Sequence, residues 1–130
     1  MRINHIAIVV KEIAKDMKVF VDDYGFKQIS SILTIENQKV RVVLLNCGND
    51  FNIELIEPLG ENSPVSNALK KGGGLNHICY ETENFDQIYE KFKNKVVRHP
   101  RPAPQEYFKG GRTFFAYRRG GLVEFLEVKK

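Results

Sequence analysis

Cysteine is scarce in this sequence and long hydrophobic runs are absent. Only Cys47 and Cys79 occur, without the spacing of a disulfide framework or a paired metal motif, so a reduced, cytoplasmic chain is expected. The longest apolar run, residues 6–10, is far shorter than the roughly 20 residues of a membrane-spanning helix. Lys11, Glu12 and Lys15 interrupt the N-terminal segment before the apolar core of a secretory signal could form, so no signal peptide is expected. No dense basic run is present, and the net charge is only +4. That modest excess suits an anionic small molecule and argues against nucleic acid as a partner. The 130 residues, 42% hydrophobic and 28% charged, suffice for one domain with its own core.

What the sequence does contain is a copy of itself. Asn4-His5-Ile6 recurs as Asn76-His77-Ile78, and Ile13, Met17 and Phe20 fall on Phe85, Tyr89 and Phe92, all at an offset of 72. Ile53-Glu54-Leu55-Ile56-Glu57 is echoed by Val123-Glu124-Phe125-Leu126-Glu127 at an offset of 70. A fixed internal period of this kind marks one module written twice.

Residues 3–10 alternate and are rich in β-branched side chains, which predicts a strand with His5, Ala7 and Val9 on one face and Ile6, Ile8 and Val10 on the other. Ile13, Met17, Phe20 and Tyr24 follow helical spacing, with Gly25 as the stop. Residues 27–35 and 40–46 read as strands joined by the polar turn 36–38. A second turn at 48–50 leads into a strand over 51–58, ended by proline. The first module, residues 1–58, is therefore βαβββ. A linker, 59–74, carries a short helix over 64–70, with Ser63 before Pro64 as its start, and ends in a glycine triplet. The second module, 75–130, repeats the pattern. It has a strand over 75–81, a helix capped by Asn84 with the apolar stripe Phe85, Ile88, Tyr89 and Phe92, a short strand over 96–98, and strands over 112–117 and 122–128. The proline-rich segment 99–104 between them reads as a loop.

The polar residues of the repeat carry the functional argument. His5 and His77 occupy the same strand of each module, and Glu54 and Glu124 lie among apolar neighbours in each module's last strand. A single strand histidine is most often a hydrogen-bonded core residue. A carboxylate inside an apolar strand is costly unless it is paired, bound to metal or turned to solvent. Glu57 and Glu127 show that these strands carry other acids near their ends. Two equivalent His/Glu pairs are nevertheless not independent accidents. If the modules pack about a pseudo-twofold axis the pairs converge, and two imidazoles with two carboxylates suit one divalent ion of the Ni, Co, Mn, Fe or Zn type. His99 stands outside the repeat and is expected to face solvent. Arg98, Arg101, Lys109, Arg112, Arg118 and Arg119 are candidates for an anionic substrate, or else an ordinary solvated surface.

Duplicated βαβββ modules with His5, Glu54, His77 and Glu124 resemble the vicinal oxygen chelate superfamily, which includes glyoxalase I, methylmalonyl-CoA epimerase, extradiol dioxygenases and bleomycin-resistance proteins. The resemblance covers nearly the whole chain. Glu54-Leu55-Ile56-Glu57-Pro58-Leu59-Gly60, Ser63-Pro64-Val65, Gly74-Leu75-Asn76-His77-Ile78-Cys79 and Gly121-Leu122-Val123-Glu124-Phe125 look like the linker and metal strands of the epimerase branch. Tyr117-Arg118-Arg119 replaces the His-Pro pair frequent in that family. The resemblance implies an α+β fold in which the two modules form a U-shaped half-barrel around the ion, usually as a homodimer. It implies removal of a proton next to a carbonyl that chelates the ion, with Glu54 and Glu124 as acid–base groups on opposite faces. Isomerisation of an acyl-CoA is the leading expectation, and a glyoxalase I-type lyase acting on a glutathione adduct is the alternative. A binding protein for a drug would not need four ligands. An extradiol dioxygenase needs two histidines and one carboxylate, typically in a longer chain.

Overall fold

The computed structural model describes residues 1–103, 108 and 111–128. Its contacts divide the chain into two compact units, His5–Asn76 and Met1–Asn4 with His77–Lys130. The linker suggested by the sequence thus belongs to the first unit, and the first four residues to the second. Each unit is a mixed α+β assembly in the repeated order expected from the sequence.

β1 (Arg2–Val9), which enters the first unit at His5, runs parallel to β5 (Asn52–Pro58), with Ala7 opposite Glu54 and Ile8 opposite Leu55. β4 (Val40–Asn46) is antiparallel to β5 and sets Leu44 opposite Glu54. Strand pleating sends alternate residues to opposite faces. Val43, Leu45 and Leu55 go to the face covered by α1 (Ile13–Lys18), where they pack with Val10, Ile13, Met17 and Phe20. His5, Ala7, Val9, Glu54 and Ile56 are buried on the other side of the same strands. The predicted helix to Tyr24 stops at Lys18 and continues as one π-helical turn, Val19–Asp23. Val19 and Val21 are stiff at χ1 there, and Phe20, Tyr24 and Phe26 cluster with ring centroids 5.6–6.2 Å apart.

The predicted strand over 27–35 is instead two short ones, β2 (Lys27–Gln28) and β3 (Leu33–Ile35), both paired with β4. Ser30 is the cause. Its Oγ accepts the Leu44 N–H at 2.8 Å in place of a backbone carbonyl, and a side chain that takes over a ladder bond releases the backbone from the strand. In the linker α2 (Ser66–Lys70) begins two residues after Pro64, because Ser63 Oγ accepts the Val65 N–H and holds a turn first.

β6 (Gly74–Thr82), which enters the second unit at His77, is parallel to β9 (Gly121–Glu127), with Cys79 opposite Glu124. β8 (Arg112–Arg118) is antiparallel to β9 and places Phe115 opposite Glu124. The stripe Phe85, Ile88, Tyr89 and Phe92 of α3 (Phe85–Phe92) packs on Phe114, Ala116 and Phe125, as its spacing predicts. Asn84 makes no side-chain cap. Thr82 Oγ1 accepts the Asn84 N–H instead, at 3.0 Å.

The expected loop after Arg98 is also different. β7 runs Val96–Pro102 and pairs with β8. Proline is compatible with a strand that has a neighbour on one side only. Among the described residues β7 has only β8, and its register shifts between Val96 and Arg98 and again before Arg101. No helix among the described residues is long and apolar enough to cross a membrane.

Gly73 tests the linker. It has φ +71°, and an added Cβ would lie 2.7 Å from the Val9 carbonyl oxygen. Gly73→Ala is expected to lower unfolding free energy by about 2 kcal/mol, measured by urea denaturation.

Candidate functional site

In each unit a histidine faces a glutamate across a pair of parallel strands. His5 lies two residues before Ala7, the residue opposite Glu54, and so shares its face. His5 Nε2 is 3.8 Å from Glu54 Oε1. His77 lies two residues before Cys79, the residue opposite Glu124, and His77 Nε2 is 3.2 Å from Glu124 Oε1. All four residues are buried, none more than 8% exposed. Carboxylates in such surroundings require a partner, and the sequence repeat supplies the same partner twice.

The two pairs differ in one respect that the sequence reading missed. Thr113 Oγ1, itself buried, donates to Glu124 Oε2 at 2.6 Å, so the two carboxylate oxygens of Glu124 face different groups. Thr113 stands opposite Leu126, and Val42 stands opposite Ile56 in the first unit. Val42 has no hydroxyl to offer Glu54. The available signal was a lone hydroxyl residue in the strand Arg112-Thr113-Phe114-Phe115-Ala116, on the face of Phe115. The Phe115 ring stands edge-on to His77, with centroids 5.0 Å apart.

Glu57 and Glu127 are bound otherwise. Arg41 Nη1 donates to Glu57 Oε2 at 2.8 Å, and the N–H of Ile13, the first residue of α1, donates to Glu57 Oε1 at 2.8 Å. Arg112 reaches Glu127 through Nε at 3.0 Å and Nη2 at 2.7 Å. These contacts are charge-assisted and, for Arg112, bidentate. The hydrogen bonds to Glu127 and then Asp86 raise the Arg112 pKa above the ordinary arginine value. Its guanidinium also lies 4.5 Å over the Phe85 ring.

The other basic candidates fall in different places. Arg98 stands opposite Phe115, with its guanidinium 5.5 Å over that ring, and Arg101 stands opposite Thr113. Both therefore lie on the face that carries His77 and Glu124. Burial lowers the pKa of Arg98, with the charge of Glu124 opposing. Arg101 is pushed down to about 10, by burial first and Arg98 second, again against Glu124. Arg118 lies over Phe92 of α3, at 4.1 Å. Arg119 is exposed, and Lys109 lies outside the described residues. His99 is exposed and meets the Tyr89 hydroxyl through Nδ1 at 3.1 Å.

Paired βαβββ units, each with a buried imidazole and carboxylate on one face of its sheet, define a duplicated-module protein with a donor set suited to a divalent ion. The sequence profile of the glyoxalase/bleomycin resistance protein/dioxygenase superfamily matches residues 4–117, and the chain belongs to that superfamily. Mitochondrial methylmalonyl-CoA epimerase from Homo sapiens is 35% identical over 99 residues, 75% of this chain and 55% of that protein. The Mus musculus enzyme is 34% identical over 99 residues, 75% of this chain and 54% of that protein. The chain thus spans about half the length of these curated relatives. A variant of Streptomyces coelicolor methylmalonyl-CoA epimerase in complex with 2-nitronate-propionyl-CoA superposes with a TM-score of 0.81 at 25% identity, covering 98% of this chain and 94% of that one.

Thr113 offers a test of the geometry within the second unit. Thr113→Val keeps the shape and removes a donor from a buried carboxylate, so it should cost about 1–3 kcal/mol of stability. Thr113→Ser should recover most of it. Denaturation of the three proteins in parallel measures both effects.

Proposed function

We propose that the protein is a divalent-metal-dependent epimerase of an acyl-CoA carrying an acidic α-hydrogen, methylmalonyl-CoA foremost. The observation that carries this reading is the buried His/Glu pair present at equivalent strands of both units, His5 with Glu54 and His77 with Glu124. Two neutral imidazoles and two carboxylates bring a net charge that balances one divalent ion, and these four residues would hold it. The metal dependence is part of the proposal. Similarity to proteins named methylmalonyl-CoA epimerases, and to one with an acyl-CoA analogue bound, supports the substrate class.

When bound, the ion supplies Lewis-acid polarisation of the thioester carbonyl, which acidifies the neighbouring C–H. The chain's own part is proton transfer. One of Glu54 and Glu124 takes the α-proton, and the other returns a proton to the opposite face of the planar carbon, inverting the centre. His5 and His77 orient the carboxylates, and Ala7, Val9, Cys79 and Leu126, all buried, keep water from the faces on which the acids lie. Both cysteines are free, as a reducing cytoplasm requires; a homodimeric cytoplasmic enzyme is part of the same reading.

Metal-loaded protein should interconvert the two epimers of methylmalonyl-CoA, and chelation of the ion should abolish this. Glu54→Gln and Glu124→Gln should each slow turnover by about 100-fold or more, and should differ in which epimer still exchanges its α-hydrogen with deuterated water. Rapid conversion of methylglyoxal with glutathione, with no action on the acyl-CoA, would replace this reading by a glyoxalase-type lyase. Full activity in both variants would remove the glutamates from proton transfer.

A further inference from the structure

Each unit contains an arginine closed onto structure. Arg41 and Arg112 are each closed onto a carboxylate of the neighbouring strand. Arg101 is not. Its Nε and Nη2 are buried and have no hydrogen-bond partner among the described residues, although Arg101 lies on the face that carries Glu124, His77 and Thr113. The like charge of Arg98 works against it. Arg98 itself is held against the Phe115 ring. Guanidinium nitrogens buried without an acceptor cost stability, and the like charge of Arg98 adds repulsion that Glu124 only partly opposes.

We propose that Arg101, flanked by Arg98, binds the free carboxylate of a malonyl-type thioester. This rests on the acyl-CoA reading above and narrows it to thioesters with a carboxylate on the carbon that exchanges its proton. A planar carboxylate matches the paired Nε and Nη2 donors of one guanidinium. The alternative anion on such a substrate is a phosphate of the coenzyme, at the far end of a long arm. Arg101 lies beside the acid of the reacting end, and the charge of Glu124 is felt by both arginines. A group fixed there also holds the α-carbon in place, which is what an acid–base pair working on two faces needs.

Malonyl-CoA and acetyl-CoA differ only by this carboxylate, so their dissociation constants, measured calorimetrically on the wild-type holoprotein and on Arg101→Gln, isolate the contact. Wild type should prefer malonyl-CoA. Arg101→Gln should weaken malonyl-CoA by about 20-fold or more and leave acetyl-CoA within about twofold. Since an unpaired buried group is removed, the variant's Tm should be unchanged or higher, so lost binding is not lost fold. Arg101→Lys, which keeps the charge and loses the fork, should fall between. Equal weakening of both thioesters would assign Arg101 to the coenzyme arm and overturn the proposal, as would no change in either or no preference in wild type. A malonyl preference lost in Arg101→Gln without any epimerisation by wild type would support the carboxylate site and remove the epimerase reading instead.

Discussion

A carboxylate inside an apolar strand must have a partner, and the architecture of this chain follows from meeting that requirement four times. Unpaired, each of the buried Glu54, Glu57 and Glu124 would cost several kcal/mol, and the half-buried Glu127 less. The last strand of each unit carries two of them three residues apart, so strand pleating turns them to opposite faces. The outer glutamate is met by an arginine of the antiparallel neighbour, Arg41 or Arg112. The inner one is met by a histidine of the parallel neighbour, His5 or His77. Arginine is permanently charged and closes its pair, whereas a neutral imidazole can offer a lone pair to a ligand. One pairing ends as structure, and the other leaves chemistry possible.

The second unit is more fully furnished than the first. Thr113 holds one oxygen of Glu124, where the first unit has Val42. Arg98 and Arg101 stand on the face of Glu124, whereas Arg41, the arginine of β4, is committed to Glu57. The repeat supplies two equivalent acids, and the surroundings of Glu124 distinguish it from Glu54. An epimerase has use for that difference, since its two proton transfers occur on opposite faces of one carbon.

Much of this was legible in the sequence, because a repeat compares the chain with itself. Asn-His-Ile and the X-Glu-X-X-Glu strands picked out the two His/Glu pairs that the structure brings into contact, and the stripe Phe85, Ile88, Tyr89 and Phe92 predicted the packing of α3. What escaped depended on partners in another strand. Ser30 divides a strand by taking the amide of Leu44. Pro100 and Pro102 read as loop residues, yet β7 has a neighbour on one side and tolerates both. Thr113 could not be tied to Glu124 before the register of β8 on β9 was known. Arg101 and Arg112 were equal candidates in the sequence. The structure separates them, since Glu127 and Asp86 hold Arg112 and no described residue hydrogen-bonds Arg101 through Nε or Nη2.

The proposed function makes the two His/Glu pairs ligands of a single divalent ion. X-ray absorption at the metal edge, with metal content measured on the same sample, tests it most directly. The account predicts one ion per chain, with two imidazole nitrogens and carboxylate oxygens at about 2.0–2.2 Å and no sulfur. A sulfur ligand at about 2.3 Å, which would implicate Cys79 beside Glu124, or an ion bound without imidazole, would contradict it.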